Sequence, residues 1–228
     1  MSQERRWTKR VDQWHTHVTS AAGFEKVLGA LLVAAAPGAD DVAVDLGAGT
    51  GFVTMALAPK VASVRAVDIS PAMTEELAKH AAEAGLSNVT AEVGDLTSFQ
   101  LAPASVDLIV SSYVLHHLLD PAKRALVRES ITWLRPGGRL VIADMMFGRG
   151  GTARDREILR QKAVALAKKG PGGVWRIAKN LTRYGFRVGG EHPATPQFWQ
   201  DALRDAGFAD VAFQPIVAEA AIVSGTRP

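Results

Sequence analysis

The chain has 228 residues, 47% of them hydrophobic and 21% charged, enough for one domain with a full core of ordinary globular composition. It contains no cysteine, which excludes disulfides, thiolate catalysis and cysteine-ligated metals. The net charge of +3 hides an asymmetry: eleven Lys and Arg face two acids between Arg149 and Gly190, so a segment of +9 sits on a body of −6.

At the N-terminus, Glu4, Arg5, Arg6, Lys9 and Arg10 have no apolar core of signal-peptide form behind them. The longest apolar stretch, Val27 to Ala36, is about half a bilayer span and stops at Pro37 and Gly38. No membrane crossing is expected, and the cytoplasm is the expected compartment. Val42 to Gly47 is a short apolar run ending in glycines, as in a buried parallel strand. Phe52 to Ala58 follows as a helix closed by Pro59. Val64 to Asp68 is a second strand, and Ser70 with Pro71 opens a helix, Ala72 to Ala84, that stops at Gly85. Val89 to Val93 and Val106 to Tyr113 are the third and fourth strands. Asp120 and Pro121 begin a helix reaching about Leu134, and Pro136 to Gly138 turn the chain into a fifth strand, Arg139 to Ala143. Thr195 and Pro196 cap a helix that ends at Gly207. Val211 to Pro215 and Ala220 to Gly225 complete the set.

Strands alternating with helices imply βαβ units, hence a doubly wound α/β sheet, mostly parallel and seven-stranded, with ligands beyond the carboxyl ends of its strands. The last two strands are too close for a crossover helix and should form an antiparallel hairpin. We expect a single domain over 1–228: a helical N-terminal cap (1–40), a ligand-binding core (41–147), a helical insert (148–190), and a C-terminal helix and hairpin (191–228).

The first strand leads into Asp45-Leu-Gly47-Ala-Gly49-Thr-Gly51. Glycines there let the chain turn sharply and approach a nucleotide-like ligand closely. In the dinucleotide fingerprint the third glycine falls five places after the first; here it falls four places after, and Phe52 takes the other position. Asp45 would repel a pyrophosphate, yet it suits a ligand bearing an ammonium group.

This Asp-x-Gly-x-Gly-x-Gly pattern resembles the first motif of class I S-adenosylmethionine-dependent methyltransferases, whose fold is Rossmann-like. Asp68 at the end of the second strand, Val93 to Leu96 at the end of the third, and Leu134 to Gly138 before the fifth resemble further motifs of that family. The likeness covers about Val42 to Asp144 and the terminal hairpin, and its local motifs resemble the quinone-biosynthesis and natural-product branch. It implies S-adenosylmethionine as cofactor and S-adenosylhomocysteine as product. Gly47, Gly49 and Gly51 would pass under the methionine end, with Asp45 on the amino group. Asp68 would hold the ribose, Ile69 the adenine face and Asp95 the adenine amino group, with Leu96 and Ser111 as further cofactor contacts.

The fourth strand runs into Leu115, His116 and His117, and the fifth ends at Asp144. Strands four and five should be neighbours, so His116 and Asp144 should lie together near the methyl. An imidazole oriented by a carboxylate is a good general base. Similar positions serve as a base pair in some small-molecule O-methyltransferases of the family; equally, one histidine of such a stretch can simply bond a backbone carbonyl. The six histidines show no ligand spacing with carboxylates, and no Asp-Asn pair follows Asp144, so no metal is expected.

The expected acceptor is a small organic molecule, taken through oxygen, nitrogen or activated carbon. Trp7, Trp14, His15 and His17 lie in the N-terminal stretch, where such families often cover the cofactor. Glycines bracket the insert, and Val174, Ile177, Ala178, Leu181 and Tyr184 fall at helical spacing, which suggests a lid. Its basic charge fits a solvated helix face, an anionic acceptor, or a membrane surface. Met145, Met146 and Phe147 add an apolar stretch that fits a lipid or isoprenoid acceptor. Nucleic acid is disfavoured, since basic residues are not interleaved with aromatics. A homodimer is the family-level partner expectation, and a non-catalytic cofactor binder is the reading of another class.

Overall fold

The computed structural model describes residues 22–148, 151–167 and 191–228. Its strands are β1 (Val42–Leu46), β2 (Ser63–Asp68), β3 (Val89–Val93), β4 (Val106–Ser112), β5 (Leu134–Met145), β6 (Ala209–Val217) and β7 (Ala220–Thr226). They form one sheet in the order β3-β2-β1-β4-β5-β7-β6. The first five run parallel, and β7 is antiparallel to both β5 and β6. The helices among the described residues are α1 (Ala22–Ala35), α2 (Phe52–Leu57), α3 (Pro71–Glu83), α4 (Asp120–Trp133), α5 (Ala153–Ala167) and α6 (Pro196–Ala206). The doubly wound sheet with its terminal hairpin is therefore present. Among these residues no helix is long and apolar enough to cross a membrane.

Central strands are apolar on both faces because helices cover both. Val44, Leu46, Ile109, Leu140 and Ile142 pack under α4 and α6 with Trp133, Trp199 and Leu203. Their alternates Ala43, Leu108, Val110, Val141 and Ala143 pack with Val27 and Leu31 of α1 and with Val53 and Leu57 of α2. Helix starts follow the capping chemistry: the Ser70 hydroxyl accepts from the Met73 N–H at 3.4 Å, and the Thr195 hydroxyl from the Phe198 N–H at 3.1 Å. Gly207, at φ 97°, closes α6 in the left-handed region.

Several strand ends differ from expectation, two of them for a clear local reason. β4 stops at Ser112 because Tyr113 takes φ 54°, which breaks extended backbone. β5 begins at Leu134, before the Pro-Gly-Gly turn. That turn is a bulge within the strand, between the pairs Val106–Leu134 and Leu108–Arg139.

The insert leaves and returns at moored points. Asp155 accepts from the N–H groups of Gly148 (2.7 Å) and Thr152 (3.1 Å), and the Thr152 hydroxyl accepts from the Asp155 N–H at 3.0 Å, a reciprocal cap on α5. Arg154 donates to the Met146 carbonyl at 2.6 Å, and Met146 bridges to Ala194 where the chain comes back. Met146 and Phe147 are buried, so they offer no apolar surface to a lipid. Trp7, Trp14, His15, His17 and the 174–184 segment lie outside the described residues.

Lys123, on α4, is fully buried. Its ammonium donates to Asp120 at 2.9 Å and to the His192 carbonyl, beneath the rings of Phe198 and Trp199. Lys123→Ala is expected to cost about 3 kcal/mol, because it opens a void and strips a bond from a packed carbonyl. Lys123→Met keeps the bulk and should cost less. Urea unfolding measures both; a loss below about 1 kcal/mol for the alanine variant would contradict this account.

Candidate functional site

A crevice of about 910 Å³, its open mouth included, lies at the carboxyl ends of β1 to β4. Its floor is the loop after β1. The N–H groups of Gly47 (2.7 Å) and Ala48 (2.9 Å) both donate to the Val67 carbonyl, and the Gly49 N–H donates to Asp68 at 2.9 Å. His80 from α3 holds the Thr50 carbonyl at 3.1 Å. Gly47, at φ 78°, cannot accept a side chain: an added Cβ would lie 2.4 Å from the methyls of Val114.

Three acids end three adjacent strands and line this crevice. Asp45 is buried and accepts from the Thr54 hydroxyl at 2.6 Å. Burial pushes its carboxyl up to about 7, against the Thr54 bond, and the nearby charge of Asp68 pushes the same way. Burial raises Asp68 too, opposed by the N–H groups of Ser70, Gly49 and Ile69. Asp95 is exposed and accepts from the Thr97 N–H (2.9 Å) and hydroxyl (2.8 Å). Ile69, Met73 and Leu96 supply the apolar sides between them.

Of the expected site residues, Asp45, Gly47, Gly49, Asp68, Ile69, Asp95 and Leu96 line the crevice. Gly51 does not: it starts α2 at φ 95° and packs against Leu77 of α3. Ser111 is fully buried, and its hydroxyl donates to the Leu46 carbonyl at 2.8 Å, so it joins β4 to β1. Its neighbour Ser112 lines the crevice instead. Strand alternation sends the two serines to opposite sides.

His116 and Asp144 do meet, Nδ1 to Oδ1 at 2.6 Å, but neither lines the crevice. Asp144 also accepts from the backbone N–H groups of His116 (2.8 Å) and Met145 (2.7 Å). The pair is thus built into the scaffold. The imidazole on the crevice is that of His117, its ring centroid 4.0 Å from that of His116.

Phe24, Phe52, Thr54, Tyr113 and Leu118 had no signal in the sequence as site residues. Phe24 comes from α1, and only tertiary packing brings it over Tyr113, with ring centroids 4.7 Å apart.

The donor set suits a cationic nucleoside. Three carboxylates and no Lys or Arg line the crevice among the described residues, and the buried Asp45 gains by meeting an ammonium group. The model of a family described as a methyltransferase domain matches residues 43–138. An uncharacterized methyltransferase of Geobacillus kaustophilus is 31% identical over 162 residues, which is 71% of this chain and 67% of that protein. The chain belongs to the methyltransferase family.

A relative from Geobacillus thermodenitrificans, also an uncharacterized methyltransferase, is 30% identical over 65% of this chain and 63% of its own length. The chain spans between 53% and 68% of the length of the curated relatives it matches. Among solved structures, the YcgJ protein of Bacillus subtilis superposes with a TM-score of 0.61 at 24% identity, over 82% of this chain and 69% of that one. An S-adenosylmethionine-dependent methyltransferase from Mesorhizobium loti gives 0.64 at 21% identity, over 92% and 100%. Both show the fold. Within this chain the family match holds every crevice-lining residue except Phe24.

Proposed function

We propose that this methyltransferase binds S-adenosylmethionine in the crevice and moves its methyl to a small organic acceptor. The observation carrying this is the row of Asp45, Asp68 and Asp95 at the ends of β1, β2 and β3, with no basic side chain of Lys or Arg lining it among the described residues. Asp45 would take the amino group, Asp68 the ribose hydroxyls and Asp95 the adenine amino group, with Ile69 and Leu96 on the base. When bound, the cofactor supplies an activated electrophilic methyl, so the protein's part is alignment and exclusion of water. His117 is the imidazole placed to take an acceptor proton, and the buried His116–Asp144 pair fixes the turn that presents it.

Calorimetric titration with S-adenosylhomocysteine from pH 5.5 to 8.5 tests the reading. One site is expected, with affinity falling about tenfold per unit below pH 7, where Asp45 takes up a proton that the ammonium must displace. The same raised carboxyl adds stability that is full below about pH 4 and is lost as pH rises to about 7, because the folded state holds the proton more tightly. No binding, or preferential binding of NAD, would refute the proposal. Labelled methyl passing from the cofactor into a small-molecule fraction of host extract separates an enzyme from a silent binder.

A further inference from the structure

The crevice has two chemically different ends. The three acids fall along β1, β2 and β3, outward from the middle of the sheet, and mark the side for the cofactor. On the other side of β1 stands β4, whose exit supplies three consecutive lining residues: Ser112, Tyr113 and Val114. Extended backbone cannot aim three neighbours at one space. Tyr113 makes it possible by taking φ 54°, a conformation unfavourable for an aromatic residue and held here by its N–H bond to the Ala143 carbonyl at 2.9 Å.

Turned this way, Tyr113 builds a wall with Phe24, which meets it at 4.7 Å and meets Phe52 edge-on at 6.3 Å. Phe24 is the lining residue outside the family match, and it completes the wall from beyond the matched region, which holds Phe52 and Tyr113. The charges bearing on the Tyr113 hydroxyl are the carboxylates of Glu219 and Asp144. Arg154, whose charge bears on Glu219, spends its donors on the carbonyls of Met146, Ala218 and Ala220.

From this we infer that the acceptor, under the cofactor reading above, is a flat apolar molecule that is neutral or cationic, and that Phe24 and Tyr113 select it. Aromatic faces attract a planar ring or a cation and give nothing to a phosphate. Among the described lining residues there is no Lys or Arg to pair with an anion. An acceptor carrying phosphate or carboxylate, which the basic insert would suit, does not fit this wall.

The test uses the full chain saturated with S-adenosylhomocysteine, titrated calorimetrically with 2-naphthol, 2-naphthylmethylamine, 2-naphthoate and 2-naphthyl phosphate. The first two should bind at least about tenfold more tightly than the anions, and Phe24→Ala should weaken them by about tenfold. Phe24→Leu, which keeps the apolar bulk on α1, should weaken them less. Equal or tighter binding of either anion overturns the inference, as does the absence of binding by all four to the saturated protein. Failure of S-adenosylhomocysteine itself to bind is a separate result, which brings down the cofactor reading and this inference with it.

Discussion

Asp45→Asn is expected to weaken S-adenosylhomocysteine binding by on the order of 100-fold, and at the same time to raise the melting temperature at pH 8 by about 5 °C. The two effects share one cause. Asp45 is buried, and burial raises its carboxyl to about 7, so at pH 8 the folded protein carries a charge that it holds at a cost. A ligand ammonium relieves that cost. Asparagine removes the charge and still offers an oxygen to the Thr54 hydroxyl, which lies 2.6 Å from the aspartate. At pH 5 the folded carboxyl is protonated, so the gain in melting temperature should be smaller there, and it should vanish only below about pH 4, where the unfolded carboxyl is protonated too. Scanning calorimetry at the two pH values and a titration at pH 8 decide it. Binding within about threefold of wild type would remove Asp45 from the amino-group role.

Gly47→Ala should destabilise the protein by about 3 kcal/mol and abolish ligand binding. About half the cost is the left-handed backbone at φ 78°, and the rest is collision with Val114, whose two methyls would lie 2.4 Å from the new Cβ. A shift of the loop away from Val114 would strain the bonds from the Gly47 and Ala48 N–H groups to the Val67 carbonyl. Two further variants separate the causes. Gly85 has φ 68° with nothing within 4 Å of an added Cβ, so Gly85→Ala should show the backbone part alone. Gly47→Ala with Val114→Ala should recover the collision part. Urea unfolding of the set measures each share. If Gly47→Ala costs no more than Gly85→Ala, the close approach of Val114 is not what demands glycine there.

The central parallel strands were legible because burial on both faces makes them plain apolar runs, and the three acids were legible because they fall at strand ends. What escaped depends on single dihedral angles and on distant packing. The left-handed turn at Tyr113 resets which side each following residue faces, so His117 faces the crevice where His116 was expected, while strand alternation puts Ser112 there in place of Ser111. Lys123 reads as a solvent position on a charged helix, and only α6, arriving much later in the chain, puts Phe198 and Trp199 over it. Phe24 escaped for the same reason: its partner Tyr113 lies far along the chain.

Met146 and Ala194 lie side by side in the bridge that brackets the insert, with the Gly148 N–H on Asp155 and Lys123 on the His192 carbonyl mooring its two flanks. The chain between Met146 and Ala194 therefore leaves and rejoins the sheet at one spot. Lengthening or exchanging such a segment changes the closure entropy by only about 0.6 kcal/mol per doubling of length. Evolution can graft there without disturbing a strand, so descendants of one ancestor could diverge in acceptor while the cofactor half stays unaltered.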